Sequence, residues 1–375
     1  MITRQFPIDL TISYQFEFPM ERYAFFDIET TGLSADTTYL YLIGCVYYKD
    51  SSFHLIQWFS EEIREEVQLI TSFFQFLKNY DILIHFNGTS FDIPYLLRKC
   101  HSLNLDFTFD QVVSLDLFKK ISPYKKLLQL QNYRQKTIEA FLHVKRKDTL
   151  GGEELIQIYA GYLGKKRLET LRSARNANTP VKSASEADEL LHLLFLHNED
   201  DIKGLVSICS ILNYEDMFEK PIRIIQAGVE DELFSLQFEL TSPLPIRVNF
   251  GNTAASITAC DKTAILTVSI YQGELKYFYE NYKDYFYLPQ EDSVVHKSIA
   301  QFVEKEFKEK AKPSNCYTKK QGMFVPQYEA VIIPSFKHSY TDKVSFLEIH
   351  TDFLLKEENL ELYAKHMLHH LLKEK

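Results

Sequence analysis

Three short stretches of the 375-residue chain hold the side chains best suited to chemistry. In the first, Tyr23, Ala24, Phe25 and Phe26 favour burial and run straight into Asp27-Ile28-Glu29, then Thr30-Thr31-Gly32. Side chains alternate faces along a strand, so Asp27 and Glu29 point the same way. Two like charges at the end of an apolar strand repel each other and lose water. A cation between them relieves both problems, and hard carboxylate oxygens suit Mg²⁺ or Mn²⁺. By itself, Asp-x-Glu also describes any acidic strand end.

The second stretch begins where the apolar run Asp81–Phe86 empties into Asn87-Gly88-Thr89-Ser90, residues of turns and helix caps. Phe91, Asp92 and Pro94 follow. Pro94 suits a first helical turn, where its missing N–H costs nothing, so Asp92 falls at a strand-to-helix junction. In the third, His197 and Asp201 are four residues apart on a helix and share a face. Asp200 lies about 100° around that helix, and Ile202, Leu205 and Val206 mark its buried side. On its own this stretch also reads as a solvated charged face.

Positioning these residues falls to a simple series of elements. Tyr39–Tyr48 and Phe53–Phe59 read as strands of a hairpin turning at Lys49–Ser52. Glu61–Tyr80 places apolar residues at helical spacing, with acidic residues at its start. A fifth strand, Val112–Leu117, carries Asp116, a strand-end cap or a contact to substrate. Helices follow at Leu130–His143, Gly152–Tyr162 and Glu186–Leu212. A hairpin-led sheet, then alternating strands and helices, then helices alone, is the element order of a ribonuclease-H-like α/β fold.

Taken in order, the three stretches resemble the motifs of the DEDD proofreading-exonuclease superfamily. They are most similar to its YprB-like, ribonuclease-H-like branch, related to the exonuclease domain of family B DNA polymerases. The resemblance covers Tyr23 to Leu212. It implies that Asp27, Glu29, Asp92 and Asp201 hold two divalent ions, Mg²⁺ or Mn²⁺, about 4 Å apart. It further implies stepwise 3′→5′ hydrolysis of single-stranded DNA or RNA. Thr30, Thr31 and Gly32 would then lie beside the terminal nucleotide, with Asn87 and Phe91 lining its pocket. One position departs from the family pattern, which has Tyr four residues before the last Asp or His five before it. Here His197 fills the four-residue slot and Leu196 the other. An imidazole can orient or deprotonate the attacking water, so His197 joins the catalytic candidates. Two alternatives remain open: a non-catalytic nucleic-acid-binding protein on a retired exonuclease fold, and a structure-specific endonuclease on the same fold.

Composition sets wider bounds. With 45% hydrophobic and 25% charged residues the chain is globular and long enough for two domains. A net charge of −9 means that a polyanion must be met by local basic patches or by metal ions. The patches on offer are Lys119 with Lys120, Lys125 with Lys126, Lys145-Arg146-Lys147 and Lys165-Lys166-Arg167. Five scattered cysteines without a C-x-x-C pair argue against a zinc ribbon or a disulfide framework. No secretory leader or long apolar span is visible, so a cytoplasmic, non-membrane setting is expected.

The break at Lys220-Pro221 suggests two domains, 1–216 and 217–375, the second an α+β accessory domain. Its expected strands are Leu233–Leu240, a hairpin of Ala264–Ile270 with Glu274–Tyr279, Tyr285–Leu288 and Tyr328–Ile333. Ser293–Lys312 and Glu357–Lys373 read as helices. Tyr271, Tyr277, Tyr279, Tyr282, Tyr285 and Tyr287 form either a base-stacking face or sheet packing. Lys308, Lys310, Lys312, Lys319 and Lys320 are candidate phosphate contacts. His366, His369 and His370 have the spacing of metal ligands but lack an accompanying Glu.

Overall fold

The computed structural model describes residues 1–175 and 185–373. It divides into two compact units, Met1–Lys125 with Gln129–Leu212, and Lys126–Leu128 with Asn213–Lys375.

The first unit is built on six strands: β1 (Ile2–Ile8), β2 (Tyr23–Thr30), β3 (Leu40–Lys49), β4 (Ser52–Phe59), β5 (Ile82–His85) and β6 (Val113–Asp116). They form one sheet in the order β1-β4-β3-β2-β5-β6. The first four are antiparallel neighbours, and β5 and β6 join in parallel. The β3–β4 hairpin closes with Lys49 opposite Ser52. Asp50 and Ser51 both take left-handed backbone angles, φ 49° and 62°, the turn whose twist matches that of the strands it joins. β1 was not anticipated from the sequence. It is an edge strand whose only fully buried residue is Ile8, and Pro7 sits in it without disturbing a central ladder.

Helices cover both faces of this sheet. α1 (Glu66–Leu77) and α2 (Asp92–Ser102) pack Phe73, Phe74, Tyr95 and Leu96 against Ala24, Phe26 and Ile28 of β2. The short helices α3 (Leu117–Ile121), α4 (Lys125–Leu128) and α5 (Gln135–Phe141) follow. On the other face α6 (Gly152–Arg175) and α7 (Glu186–Ser207) pack Tyr159, Tyr162, Leu194 and Phe195 against Tyr41, Leu42 and Phe59. The mixed α/β sheet flanked by helices is therefore the fold the element order implied.

Two details fix α7. Ser185 caps it, exchanging hydrogen bonds of 3.1 Å with Asp188 in a capping box. Gly44, opposite Asp27 in the β2–β3 register, leaves room for close approach: a Cβ there would lie 2.0 Å from Asn198 Oδ1 and 2.2 Å from Ile202 Cδ1. Because β2 alternates, Ala24, Phe26 and Ile28 fill the core under α1 and α2, and Asp27 and Glu29 are left facing α7.

The second unit is the β-rich α+β domain expected. After α8 (Asn213–Glu219) come β7 (Ile222–Glu230), β8 (Leu233–Gly251) and β9 (Ala255–Ser269), an antiparallel sheet. The rest comprises β10 (Tyr271–Phe278), β11 (Tyr285–Leu288), β12 (Ser293–His296), α9 (Lys297–Ala300), β13 (Glu309–Lys310), β14 (Tyr317–Gln327), β15 (Ser345–Glu348), α10 (Thr351–Leu354) and α11 (Glu357–Lys373).

Three expectations for this unit are corrected. Ala264–Ile270 and Glu274–Tyr279 do not form a hairpin: β9 pairs with β8, and β10 with β14, where Gly273 stands opposite Gly322. Gln272-Gly273 lacks the Asn or Asp that makes a two-residue turn strong, and long-range pairing prevails. Ser293–Lys312 is not one helix but β12, α9 and β13 with turns between them; Ile299 and Phe302 stay 58% and 83% exposed, so their helical spacing meets no core. Tyr328–Ile333 is not a strand. The Gln327 side chain binds both the N–H and the C=O of Ile332, at 3.2 and 2.9 Å, and takes the place of a neighbouring strand.

The second unit's candidate contacts are mostly engaged within it. Tyr279 stacks on Tyr285, Tyr277 packs on Phe336, and Tyr271 packs on Phe346. Lys319 and Lys320 pair with Asp292 and Glu348 at 2.6 Å, and Lys308 donates to the carbonyls of Ala300 and Val303. His366 accepts from the Tyr328 N–H and His370 stacks on the Tyr328 ring, an arrangement of packing rather than of metal ligands.

Candidate active site

The end of β2 and the middle of α7 meet on one face of the first unit's sheet. Asp27 accepts one side-chain hydrogen bond, from Asn198 Nδ2 at 3.1 Å. The orientation of that amide is set behind it, because Gln57 Nε2 donates to Asn198 Oδ1 at 2.9 Å and to the Phe195 carbonyl at 3.0 Å. Glu29, two residues on, is less well served. Its Oε1 is buried with no hydrogen-bond partner among the described residues.

From α7, His197 and Asp201 face the same point. His197 Nε2 lies 3.1 Å from Asp201 Oδ2 and 3.8 Å from Glu29 Oε1. Its Nδ1 is held by Asp148 Oδ2 at 2.6 Å. Glu29, His197 and Asp201 each present a donor atom within 4.8 Å of the others. Asp201 also pairs with Arg146, which is anchored by Glu139 at 2.8 and 3.0 Å. Asp200 faces elsewhere: its Oδ2 accepts the N–H groups of Lys147 and Asp148 and so holds their loop against α7. Of the two adjacent aspartates, only Asp201 reaches the cluster.

Asp92 begins α2, buried beside Gly88, where a Cβ would lie 3.2 Å from Asp92 Oδ2. Asp116, at the end of β6, accepts from the N–H groups of Asn87, Thr89, Phe118 and Lys119 and from the Thr89 hydroxyl. It is the strand-end cap, and it also shapes the Asn87 loop.

Electrostatics follow from this supply of donors. Burial, then the charges of Glu29, Asp201 and Asp92, hold the Asp27 carboxyl well above its ordinary range. Glu29 is pushed up to about 8, first by burial and further by Asp201, Asp92 and Asp148, against the opposing pull of His197. Burial raises Asp92 to about 7, against hydrogen bonds from its own and the Ile28 backbone. For His197 burial disfavours the charge, but Asp201, Glu29 and Asp148 together outweigh it and raise the imidazole to about 9. For Asp201 burial pushes upward, and His197 with Arg146 more than reverses it. The cluster therefore has more buried carboxylate than its own cations and N–H groups can satisfy. A divalent cation fits that shortage, and the carboxylate oxygens are donors that suit Mg²⁺ or Mn²⁺.

The remaining sequence candidates are placed as follows. Thr30 and Thr31 use their hydroxyls on the Gly32 carbonyl and the Tyr39 N–H, and Lys99, paired with Glu66 at 2.9 Å, holds the Thr38 carbonyl behind them. Asn87 takes φ 59° and lines a cavity of about 480 Å³ with Phe86, Phe118, Lys125, Tyr133, Arg134 and Gln135. Phe91 instead packs on Tyr95 and the core beneath α2. Among the basic runs, Arg146 turns inward to the site, and Lys165 and Lys166 pair with Glu186 and Glu61. Sequence reasoning missed Asp148, Gln57 and Glu139 entirely and gave Asn198 no role. Only Asn198, between the motif's His and Asp, carried a local signal.

Sheet order and donor set together define a ribonuclease-H-like domain with one candidate cation cluster. The chain belongs to the RNase_H superfamily, whose profile matches residues 24–213. It is similar to the DNA polymerases of Bombyx mori nuclear polyhedrosis virus (23% identical) and Autographa californica nuclear polyhedrosis virus (22%). Each match extends over 183 residues and takes in 40% of this chain. The chain spans only 18% of the length of these relatives. Among solved structures, the family B DNA polymerase of Pyrobaculum calidifontis matches 76% of this chain and 39% of its own, at 12% identity and a TM-score of 0.33.

Proposed function

We propose that the first unit is a divalent-metal-dependent 3′→5′ exonuclease acting on single-stranded nucleic acid in a cytoplasmic setting. The observation that carries this reading is the undersupplied carboxylate cluster, with Glu29 Oε1 buried and unpartnered at its centre. Asp27, Glu29, Asp92 and Asp201 would hold two divalent ions, Mg²⁺ or Mn²⁺. When bound, such ions lower the pKa of water and neutralise charge developing on a phosphate.

The chain's own residues supply the rest. Asn198, fixed by Gln57, keeps Asp27 turned to the site. Arg146 sets Asp201, and Asp200 keeps the Arg146–Asp148 loop in place. The Asn87 cavity offers aromatic faces at Phe86, Phe118 and Tyr133 beside the cations Lys125 and Arg134, which suits a base and its phosphate. Backbone at Thr30, Thr31 and Gly32 would lie along the terminal nucleotide. The similarity to two viral DNA polymerases agrees with a nucleic-acid substrate.

The test is degradation of 5′-labelled single-stranded DNA and RNA with Mn²⁺, beside an Asp27→Ala/Glu29→Ala control. A ladder shortening from the 3′ end, absent in the control, is the expected result. Binding without cleavage would instead favour the retired-enzyme reading, and cutting of a circular strand the endonuclease.

A further inference from the structure

Resting on the proposed cation site, we propose that His197 is itself a ligand of the bound ion through Nε2, with Asp148 as the residue that positions it. The centre then has a nitrogen among its oxygens and favours Mn²⁺ over Mg²⁺.

The two ring nitrogens have different neighbours. Nδ1 is 2.6 Å from Asp148 Oδ2, so that nitrogen is taken up in a hydrogen bond to the carboxyl group. Asp148 is buried and fixed, its own N–H and that of Lys147 donating to Asp200 at 2.7 and 2.6 Å. Lys136 and Arg146 also approach its Oδ2, at 3.5 and 3.6 Å. Nε2 is thus the nitrogen left to face Asp201 Oδ2 at 3.1 Å and the unpartnered Glu29 Oε1 at 3.8 Å. An imidazole anchored to a carboxylate through one nitrogen and aimed with the other is the usual arrangement of a metal-bound histidine.

Service as a proton acceptor fits this geometry less well. A base needs access to the water it deprotonates, whereas the His197 ring is 5% exposed and its Nε2 faces two carboxylate oxygens. Anything reaching Nε2 is shared at once with Glu29 and Asp201, which describes a cation. Imidazole nitrogen suits Mn²⁺ better than Mg²⁺, whereas carboxylates suit both, so His197 biases the choice of ion.

The test uses full-length protein with Mn²⁺ alone, prepared with ordinary and with ¹⁵N-labelled histidine and read by pulsed electron paramagnetic resonance. Bound Mn²⁺ should show coupling to a directly ligated nitrogen that changes on ¹⁵N substitution and is lost in His197→Gln. Asp148→Asn should keep the coupling, because an amide oxygen still accepts from Nδ1. Asp148→Ala should weaken the coupling and lower Mn²⁺ affinity about tenfold, with a smaller loss for Mg²⁺ measured by competition.

Tightly bound Mn²⁺ without nitrogen coupling, failure to bind Mn²⁺, or coupling that survives in His197→Gln would each overturn the ligand role. Full coupling and affinity in Asp148→Ala would overturn the positioning role. The labelled wild type decides the ligand question even if a variant does not fold. Nitrogen coupling without strand shortening would sink the nuclease reading alone, and strand shortening without coupling would sink the ligand alone.

Discussion

Strands β2 and β6 of one sheet both lead into carboxylates largely withdrawn from water, and their surroundings treat those carboxylates in opposite ways. Asp116 receives four backbone N–H groups and the Thr89 hydroxyl, the latter at 2.5 Å. Burial pushes its carboxyl up, but Thr89, His85 and Asn87 outweigh that and hold it below the ordinary range. Among the described residues Asp27 has a single side-chain donor and Glu29 Oε1 has none, and both carboxyls are driven up. Burial is common to the two places, so it is the supply of donors that separates a structural anion from a site awaiting a cation.

The largest effect expected from this contrast is on activity. Glu29→Gln keeps shape but removes a charge, and should slow 3′ shortening roughly 10³-fold or more. In metal-free protein at pH 9, above the value of about 8 to which Glu29 is pushed, the same substitution should leave the melting temperature unchanged or raise it, because it removes an unsatisfied charge. A melting temperature several degrees lower would break the comparison, since Glu29 would then be as well served as Asp116.

Asp116→Ala should act the other way round. Five donors lose their acceptor, and the expected cost is about 3 kcal/mol of stability, measured by urea unfolding with and without Mn²⁺. Bound metal should not restore it, because the loss lies in the Asn87–Thr89 loop and the α3 cap.

A third prediction follows from pH. Glu29, Asp92 and His197 all have folded-state values raised above their ordinary ones, to about 8, 7 and 9. The folded state therefore binds more protons than the unfolded chain, and stability falls as pH rises through those values. His85 is depressed by burial to about 4, so its opposing contribution is complete by pH 6.5. Between pH 6.5 and 9 the metal-free protein should lose melting temperature. Saturating Mn²⁺ should flatten the slope by taking up the charge that protons otherwise cover. An equal slope with and without metal would place the titrating groups elsewhere.

Legibility in the sequence divides along a similar line. Asp27 and Glu29, and His197 and Asp201, could be grouped because strand and helix periods place each pair on one face, a property of a few adjacent residues. Strands β2 to β6 of the first unit's sheet were readable for the same reason, down to the Lys49–Ser52 turn, and the edge strand β1 was not. Asp148 was not, because Lys145-Arg146-Lys147-Asp148 has the composition of a solvated loop and only its long-range bonds to Asp200 and His197 turn it inward. Gln57 and Glu139 reach the site from other elements and no local pattern marks them. The second unit failed at β10 for the same reason, since its partner β14 lies far along the chain.

The smallest expected effect concerns the cavity beside Asn87, which joins the two kinds of carboxylate. Asp116 fixes its Asn87 edge, and Gln135 on its wall donates to the Asp201 carbonyl at 2.6 Å. The Lys125 ammonium lies over the rings of Phe118 and Tyr133, at 4.9 and 5.1 Å, so cation and aromatic faces are presented together. If a base stacks there, Tyr133→Ala removes about 1 kcal/mol of binding, or roughly a fivefold rise in KM for an oligonucleotide. Turnover at saturation should change less, because Tyr133 touches none of the carboxylates. Cleavage of p-nitrophenyl methyl phosphate, which carries no nucleobase to stack, should be untouched. Equal losses on both substrates would mean that Tyr133 acts by shaping the Asn87 loop, and would tie the cavity to structure in the way Asp116 is tied.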